Sequence, residues 1–293
     1  MSKRRLTGRV IKGVGGVYTV SVQGEHLKCF ARGKLRRDGE IYIGDIVDIV
    51  YDKEGIIEKV HTRKSCLVRP YVSNMDILLI VVAATPSPDM LLLDKLIIGA
   101  DSQDIRCIVA VNKCDQDGSV QLADMLSKDY SGVADIIKIS AHTGYGIDTL
   151  LEEIRGSYVC MAGQSAVGKS SLINAIIGDD VSETGDISLK SARGRHTTRH
   201  VKIYELDGGI EIADTCGFSM LEMPITNPAL LKSYYPDFHP YARDCKYVNC
   251  NHVAEEECGV RRAAEQNLIS KSRYDRYLTL YNDNFKRWNS RYD

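Results

Sequence analysis

Residues 163–170 have the sequence Gly163-Gln164-Ser165-Ala166-Val167-Gly168-Lys169-Ser170, which fits the pattern G-x-x-x-x-G-K-[ST]. The β-rich apolar run 158–162 precedes this segment, and the helical run 171–177 follows it. A strand, a glycine-rich loop and a helix in that order form a phosphate cradle, because backbone N–H groups and the helix N-terminus point at the ligand. Lys169 is expected to reach the β- and γ-phosphates, and the Ser170 hydroxyl to ligate Mg²⁺.

The chain around this loop alternates buried strands with helices. Ile77–Ala83 and residues 107–111 are continuous apolar runs of the kind found in strands that are buried on both faces. Helical patterns follow them at 90–99 and 120–130. This alternation predicts an α/β domain with a parallel sheet.

The tetrapeptide Asn112-Lys113-Cys114-Asp115 closes the buried strand 107–111 and indicates which base is bound. The N1–H and N2–H₂ groups of guanine are donors that one carboxylate can accept together, which suits Asp115. Adenine would leave that carboxylate without partners and is disfavoured. Asn112 is expected to contact the base and tie to the phosphate loop, and the Lys113 stem to pack over the ring. Ser140-Ala141, after the next strand, is expected to supply a backbone N–H for the guanine O6.

Asp214-Thr215-Cys216-Gly217 follows another apolar run, where an acidic residue can hold Mg²⁺ through water and Gly217 can meet the γ-phosphate. A basic, Gly- and Ser-rich segment at 184–199 contains threonines that complete the Mg²⁺ shell only if this loop orders around GTP. The predicted Mg²⁺ ligands are Ser170, Thr197, Thr198 and Asp214. The predicted GTP-binding residues are Asn112, Lys113, Asp115, Ser140, Ala141, Gly163, Gln164, Ser165, Ala166, Val167, Gly168, Lys169, Ser170, Ser171, Asp214 and Gly217.

The N-terminal segment 1–67 is basic, with 14 Lys and Arg residues against 8 Asp and Glu, whereas the whole chain has a formal charge of −1. Short alternating runs separated by glycines predict a small all-β barrel of the oligonucleotide-binding (OB) or the SH3-like kind. A loop with Arg32, Lys34, Arg36 and Arg37 makes this barrel a candidate for binding a polyanion.

The C-terminal segment contains Cys245, Cys250, His252 and Cys258 within 14 residues. Three thiolates and one imidazole suit a tetrahedral structural Zn²⁺, and four ligands leave no open position for catalysis. His239 is an alternative fourth ligand. An amphipathic stripe over residues 267–292 predicts a helix that packs on the rest of the protein.

The order of the motifs is unusual, because the base-reading tetrapeptide at 112 precedes the phosphate loop at 163 and the Asp214 motif. In this order, and in its basic barrel and cysteine-bearing tail, the chain resembles the circularly permuted, ribosome small-subunit-dependent GTPases of bacteria. The resemblance implies three domains: an RNA-binding OB-like barrel (1–67), a circularly permuted P-loop GTPase (68–223) and a zinc-binding helical domain (224–293).

The resemblance further implies slow GTP hydrolysis that the 30S particle stimulates, in the service of late 30S maturation. Position 218 holds Phe218 where Ras-like enzymes have a water-orienting Gln, and His196 is implied to take over part of that role beside Lys169. One structural Zn²⁺ is implied at Cys245, Cys250, His252 and Cys258, with Mg²⁺ bound alongside GTP.

The expected partners are GTP or GDP, the small ribosomal subunit and its 16S rRNA, with no DNA and no membrane. The longest apolar run, 77–84, is far short of the ~20 residues of a membrane helix, so a cytoplasmic protein is expected. A monomer is also expected. A second hypothesis is an RNA-binding scaffold whose GTP site is only a conformational sensor. A P-loop kinase for small molecules is disfavoured because Asn112, Asp115 and Ser140 would have no role in it.

Overall fold

The computed structural model describes residues 3–33, 35, 40–67, 71–178, 201–215 and 227–290. Its first module is a closed barrel with the strand order β1-β2-β3-β5-β4. The strands are β1 (Arg4–Val14), β2 (Val17–Val22), β3 (Glu25–Ala31), β4 (Ile46–Tyr51) and β5 (Gly55–Val60). The side chains that alternate inward fill the barrel, namely Val10, Val20, Leu27, Cys29, Val47, Ile49 and Ile57. This five-stranded barrel confirms the predicted OB-like module.

The second module is a six-stranded sheet with the order β10-β9-β8-β11-β13-β12. The short strands β6 (Cys66–Leu67) and β7 (Val72–Ser73) pair with each other and precede this sheet in the chain. The strands of the sheet are β8 (Ile77–Ala83), β9 (Arg106–Asn112), β10 (Asp135–Lys138), β11 (Tyr158–Ala162), β12 (Val201–Leu206) and β13 (Ile210–Thr215). Neighbouring strands are parallel except β12, which pairs antiparallel with β13. Every residue of β8 is buried, which explains its uninterrupted apolar sequence.

Four of the described helices pack around this sheet: α1 (Met90–Asp101), α2 (Ser119–Asp129), α3 (Ile147–Glu153) and α4 (Lys169–Ile177). Two separate apolar clusters, built on alternate residues of the strands, fill the spaces between sheet and helices. The turns that follow β8, β9, β10 and β11 all lie at the carboxyl edge of the sheet, where ligands of open α/β sheets bind. The predicted α/β fold is therefore confirmed, and the antiparallel β12 is an addition that the sequence did not reveal.

The third module is helical and packs around aromatic side chains. It contains 3₁₀ turns at Pro228–Tyr234 and Pro236–Phe238, and helices α5 (His239–Ala242), α6 (Gly259–Glu265) and α7 (Lys271–Asn289). Tyr235, Phe238, Tyr274 and Tyr277 stack or meet edge to face at centroid distances of 4.9–6.3 Å. Residues 271–289 of the stripe predicted over 267–292 form α7, and part of this helix packs inward as expected, while Tyr292 lies outside the described residues. Within the described residues, no helix combines the length and apolar character needed to span a membrane.

Buried charges join the third module to the sheet. The carboxylate of Asp94, on α1, accepts hydrogen bonds from the Tyr130 hydroxyl (2.6 Å) and from Nε of Arg276, on α7. Arg273 is 2% exposed and lies between the rings of Tyr130 and Tyr235, 4.5 and 4.7 Å from their centroids. Helix α7 is therefore held against α1 and the end of α2.

A second buried carboxylate, Asp45, joins the barrel to the strands that lead into the sheet. Its two oxygens accept from Arg63 Nε (2.7 Å), from Arg63 Nη2 (2.8 Å) and from the Ser73 hydroxyl (2.6 Å). The backbone N–H of Tyr42 also donates to this carboxylate, at 2.8 Å. Both flanking modules are thus fixed by ion pairs that are shielded from water.

We predict that Asp45→Ala destabilises the protein by about 3 kcal/mol, because it leaves the Arg63 guanidinium without its buried partner. Urea denaturation followed by circular dichroism measures this change. Asp52→Ala, which removes an exposed carboxylate from the same module, is the matched control and is expected to have little effect. Equal unfolding midpoints for the two variants would contradict the role assigned to Asp45.

Candidate nucleotide and metal sites

The phosphate loop, residues 163–170, connects β11 to α4 and depends on two glycines. Gly163 has a φ of +137°, and a Cβ there would lie 2.2 Å from the carbonyl oxygen of Val81. Gly168 has a φ of +95°, and a Cβ there would lie 2.4 Å from Nδ2 of Asn112. Only glycine fits both the backbone conformation and the space, so the motif glycines are needed for this close packing.

The ammonium group of Lys169 lies within the curve of the phosphate loop. Its Nζ donates to the carbonyl oxygens of Gly163 at 2.8 Å and Gln164 at 2.5 Å. The Gln164 side chain accepts the backbone N–H of Asp89 at 2.8 Å, and Asp89 in turn caps helix α1 through Leu92 N. The phosphate loop is therefore supported from the turn that follows β8, and Lys169 is centred among the loop carbonyls.

The side chain of Asn112 connects the predicted base-reading residues to the phosphate loop. This residue ends β9 and is 2% exposed. Its Nδ2 donates to the carbonyl of Val167 at 2.9 Å, and its Oδ1 accepts the N–H of Ala141 at 3.0 Å. The predicted hydrogen bond between Asn112 and the phosphate loop is thus present. The Ala141 N–H, which was expected to donate to the guanine O6, here donates to Asn112.

Lys113 makes a second connection between the same loops. Its Nζ donates to the carbonyls of Thr85 (2.7 Å) and Ala166 (2.9 Å), which lie in the turn after β8 and in the phosphate loop. Lys113 and Ala166 both have left-handed backbone conformations, with φ of 62° and 65°. Non-glycine residues rarely adopt the left-handed conformation, so the surrounding hydrogen bonds must hold these two residues in it.

Asp115 is exposed at the mouth of the site, and its carboxylate is oriented by Ser140. The buried Ser140 hydroxyl donates to Asp115 Oδ1 at 2.5 Å and accepts the N–H of Thr143 at 3.1 Å. The hydrogen bond from Ser140 lowers the pKa of Asp115 below its ordinary value. The carboxylate is therefore charged, fixed in orientation and available as a double acceptor.

Two oxygen donors that suit Mg²⁺ lie on adjacent elements. Asp214 is near the end of β13, which runs parallel beside β11, and Ser170 is in the first turn of α4, directly after the phosphate loop. A carboxylate and a hydroxyl are the donor types that Mg²⁺ prefers. The remaining predicted residues of this region, His196, Thr197, Thr198 and Gly217, lie outside the described residues.

The four predicted zinc ligands form one cluster in the third module. One donor atom from each of Cys245, Cys250, His252 and Cys258 lies within 4.8 Å of the others. His252 Nδ1 is 3.6 Å from the Cys245 sulfur and 3.4 Å from the Cys258 sulfur, and these sulfurs are 4.0 Å apart. Bond lengths of about 2.3 Å for sulfur and 2.0 Å for nitrogen give edges of about 3.5–3.8 Å in a tetrahedron, so the cluster fits the ion.

The surroundings of this cluster favour zinc ligation further. Burial lowers the pKa of His252 to about 4, so its imidazole is neutral and can bind a metal. The Cys258 sulfur accepts the N–H of Arg261 in the first turn of α6, and the Cys245 sulfur accepts that of Gly259. Such bonds stabilise thiolates. Of the two histidines considered, His252 lies in the cluster.

Comparison with known proteins assigns the family. The family model named RsgA GTPase matches residues 60–224, which are more than half of the chain. The family model named RsgA N-terminal domain matches residues 7–57. The chain belongs to the RsgA GTPase family. A protein of Ruminiclostridium cellulolyticum named small ribosomal subunit biogenesis GTPase RsgA is 41% identical over 283 residues, which cover 94% of this chain and 92% of that protein. A Thermotoga maritima protein of the same name is 38% identical over 264 residues, covering 88% and 89%.

Solved structures agree with the assignment to the RsgA family. The crystal structure of YjeQ from Thermotoga maritima superposes with a TM-score of 0.80 at 34% identity, covering 96% of this chain and 99% of that one. YloQ, described as a circularly permuted GTPase, superposes with a TM-score of 0.76 at 26% identity, covering 97% and 96%. The permuted motif order therefore occurs within a known architecture.

In this RsgA-family chain the turn after β8 belongs to the site, although none of its residues was among the predicted site residues. Thr85 and Asp89, in residues 84–89, contact Lys113 and Gln164, and the turn thus forms a further wall of the site. The sequence could have indicated this turn. β8 is a buried parallel strand followed by the helix-capping Asp89, so it must end at the same edge of the sheet as β9 and β11.

We predict that Ser140→Ala raises the pKa of Asp115 toward the ordinary value of an aspartate, because the variant lacks the hydroxyl donor. The folded-state pKa is depressed in the wild type, so its carboxylate stays ionised to lower pH than that of the variant. NMR titration of the carboxyl carbon measures both values, with Ser127→Ala, whose hydroxyl bonds only within α2, as the control. An unshifted titration in Ser140→Ala would rule out this hydrogen bond as the cause.

Proposed function

We propose that this chain hydrolyses GTP and assists late maturation of the small (30S) ribosomal subunit. Intrinsic hydrolysis is slow, the 30S particle accelerates it, and the bound nucleotide controls binding to and release from 16S rRNA. The observation that carries the proposal is the joining of Asp115, held by Ser140, to the phosphate loop through the Asn112 side chain. The relatives named small ribosomal subunit biogenesis GTPase support the ribosomal part.

Guanine selectivity follows from the chemistry of Asp115. A fixed carboxylate accepts both N1–H and N2–H₂ of guanine, whereas adenine has no donor pair to offer it. The charge of Asp115, favoured by its lowered pKa, strengthens both bonds. ATP would leave this carboxylate desolvated without compensation, so we assign the site to GTP and GDP.

At the other end of the nucleotide, the phosphate loop binds the phosphates through its backbone N–H groups. Lys169 neutralises the β- and γ-phosphates, and Ser170, Asp214, Thr197 and Thr198 are assigned to hold Mg²⁺. When bound, Mg²⁺ neutralises charge that develops on the phosphate oxygens. His196 is assigned to orient the attacking water or to relay its proton. Phe218 cannot do so, which accounts for slow turnover without a partner.

The remaining assignments concern the flanking modules. Residues 1–67 and 224–293 are proposed to contact 16S rRNA, on either side of a GTPase domain at 68–223. The N-terminal segment is basic, and α7 carries the exposed Lys271 and Lys286 near its two ends. One Zn²⁺ at Cys245, Cys250, His252 and Cys258 is proposed to stabilise the third module. The protein is proposed to act as a cytoplasmic monomer.

We predict that purified protein turns over GTP slowly, that ATP is not a substrate, and that isolated small subunits accelerate GTP turnover about a hundredfold. That factor is typical of one catalytic group brought into position. Phosphate release is measured with small subunits, large subunits or neither, at two salt concentrations, since phosphate contacts are salt-sensitive.

Two outcomes of this experiment would contradict the proposal. Equal stimulation by large subunits would remove the specificity for the small subunit, and equal turnover of ATP would remove the guanine assignment. Lys169→Ala is the companion variant. If its GTP-bound form leaves the particle as fast as the wild type, the site acts as a sensor and hydrolysis does not time release.

A further inference from the structure

The barrel contacts the hairpin formed by β12 and β13 through an ion pair and a histidine–carboxylate contact. Arg9 Nε, on β1, lies 2.7 Å from Glu211 Oε2, and the two side chains are only 19% and 24% exposed. His26 Nε2, on β3, lies 3.2 Å from Glu205 Oε2. Both hairpin carboxylates therefore face basic side chains of the N-terminal module.

These contacts matter because the two carboxylates face each other. Glu205 and Glu211 are directly opposite in the antiparallel pairing of β12 and β13. Like charges at such positions repel and destabilise the pairing. Burial and the charge of Glu205 both act to raise the pKa of Glu211, and Arg9 acts against them. The docked barrel thus places the Arg9 guanidinium beside one of two opposed like charges.

Arg9 also contacts the strand that leads into the phosphate loop. Its guanidinium lies 4.4 Å from the centroid of the Tyr158 ring, and its Nη1 donates to the carbonyl of Gly44 at 3.3 Å. Tyr158 is the first residue of β11 and the register partner of Glu211 in β13. One side chain from the barrel therefore contacts the beginnings of both strands.

The proposed Mg²⁺ ligands lie toward the far ends of these two strands, one on β13 and one on the helix that follows β11. β13 reaches Asp214 three residues after Glu211, about 10 Å along the strand. β11 continues into the phosphate loop and then into α4, which contains Ser170. The relative position of the carboxylate and the hydroxyl consequently depends on how β11 and β13 lie against each other.

We propose that Arg9 is a positioning residue of the GTPase site, which acts by fixing β11 and β13 through Tyr158 and Glu211 and thereby sets Asp214 against Ser170. This inference rests on the proposed function, because it takes Asp214 and Ser170 as the residues that hold Mg²⁺ with GTP. It also means that any displacement of the barrel, for example by a bound partner, changes the affinity of the nucleotide site for Mg²⁺.

The test compares Arg9→Met, which keeps much of the stem and removes the charge, with Arg5→Met, which removes an exposed arginine from the same strand. Arg9→Lys and the charge exchange Arg9→Glu with Glu211→Arg are the rescue variants. Three quantities are measured in the full-length protein: the Mg²⁺ concentration for half-maximal GTP hydrolysis, the GDP affinity in EDTA, and hydrogen exchange of residues 210–215 without nucleotide or metal.

In Arg9→Met we expect the Mg²⁺ requirement to rise about tenfold, within the range typical of coupling between sites in one protein. Exchange at 210–215 becomes faster, and GDP affinity in EDTA is unchanged. Arg5→Met matches the wild type, and both rescue variants lower the Mg²⁺ requirement again. If Arg9→Met does not fold, the same comparison is made with Arg9→Lys, whose smaller cation gives a smaller rise.

An Mg²⁺ requirement in Arg9→Met equal to that of Arg5→Met would overturn the inference, even if the variant were less stable, since Arg9 would then be only structural. Failure of the proposed function has a different signature. In that case the wild-type protein itself shows no Mg²⁺-dependent hydrolysis of GTP, whereas failure of this inference alone leaves the wild-type Mg²⁺ curve normal.

Discussion

One buried amide, the side chain of Asn112, joins the loops on which the nucleotide site depends. It donates to the phosphate loop at Val167 and accepts from Ala141 in the loop after β10. The chain reaches these loops in a permuted order, but a parallel sheet fixes which strand ends are neighbours whatever the order of their connection. With β9, β8 and β11 side by side, a single polar side chain spans from one loop to the other. The guanine-reading residues can therefore precede the phosphate loop in sequence without loss of the site.

The two flanking modules are attached to opposite parts of the sheet. The third module is held through Asp94, on the helix between β8 and β9, so it is tied to the half that carries the base-reading residues. The barrel contacts Glu211 and Tyr158, on the strands that lead to the proposed Mg²⁺ ligands. Both attachments use partly or fully buried charges, which are costly to separate. The two modules are therefore attached to different halves of the sheet, the barrel to the strands that lead to the proposed Mg²⁺ ligands.

Much of this architecture could be predicted from the sequence, because local patterns determine it. Ile77–Ala83 is apolar throughout since both its faces are covered, and Gly163 and Gly168 are required by positive φ and by close packing. The contacts of Arg9 with Glu211 could not be predicted, because 202 positions separate them and neither belongs to a periodic pattern. For the same reason spacing alone left His239 open beside His252, and only the fold brings one of them to the three cysteines.

The most direct test of this account replaces the connecting amide and asks whether the phosphate end responds. Binding of GDP and of inorganic pyrophosphate, which has no base, is measured for the wild type, Asn112→Ala and the exposed control Asn174→Ala by competition with a fluorescent GDP analogue. We expect Asn112→Ala to weaken the binding of both ligands, that of pyrophosphate by about tenfold or more, because the Val167 carbonyl and the Ala141 N–H lose their partner. Unchanged pyrophosphate affinity in Asn112→Ala would contradict it.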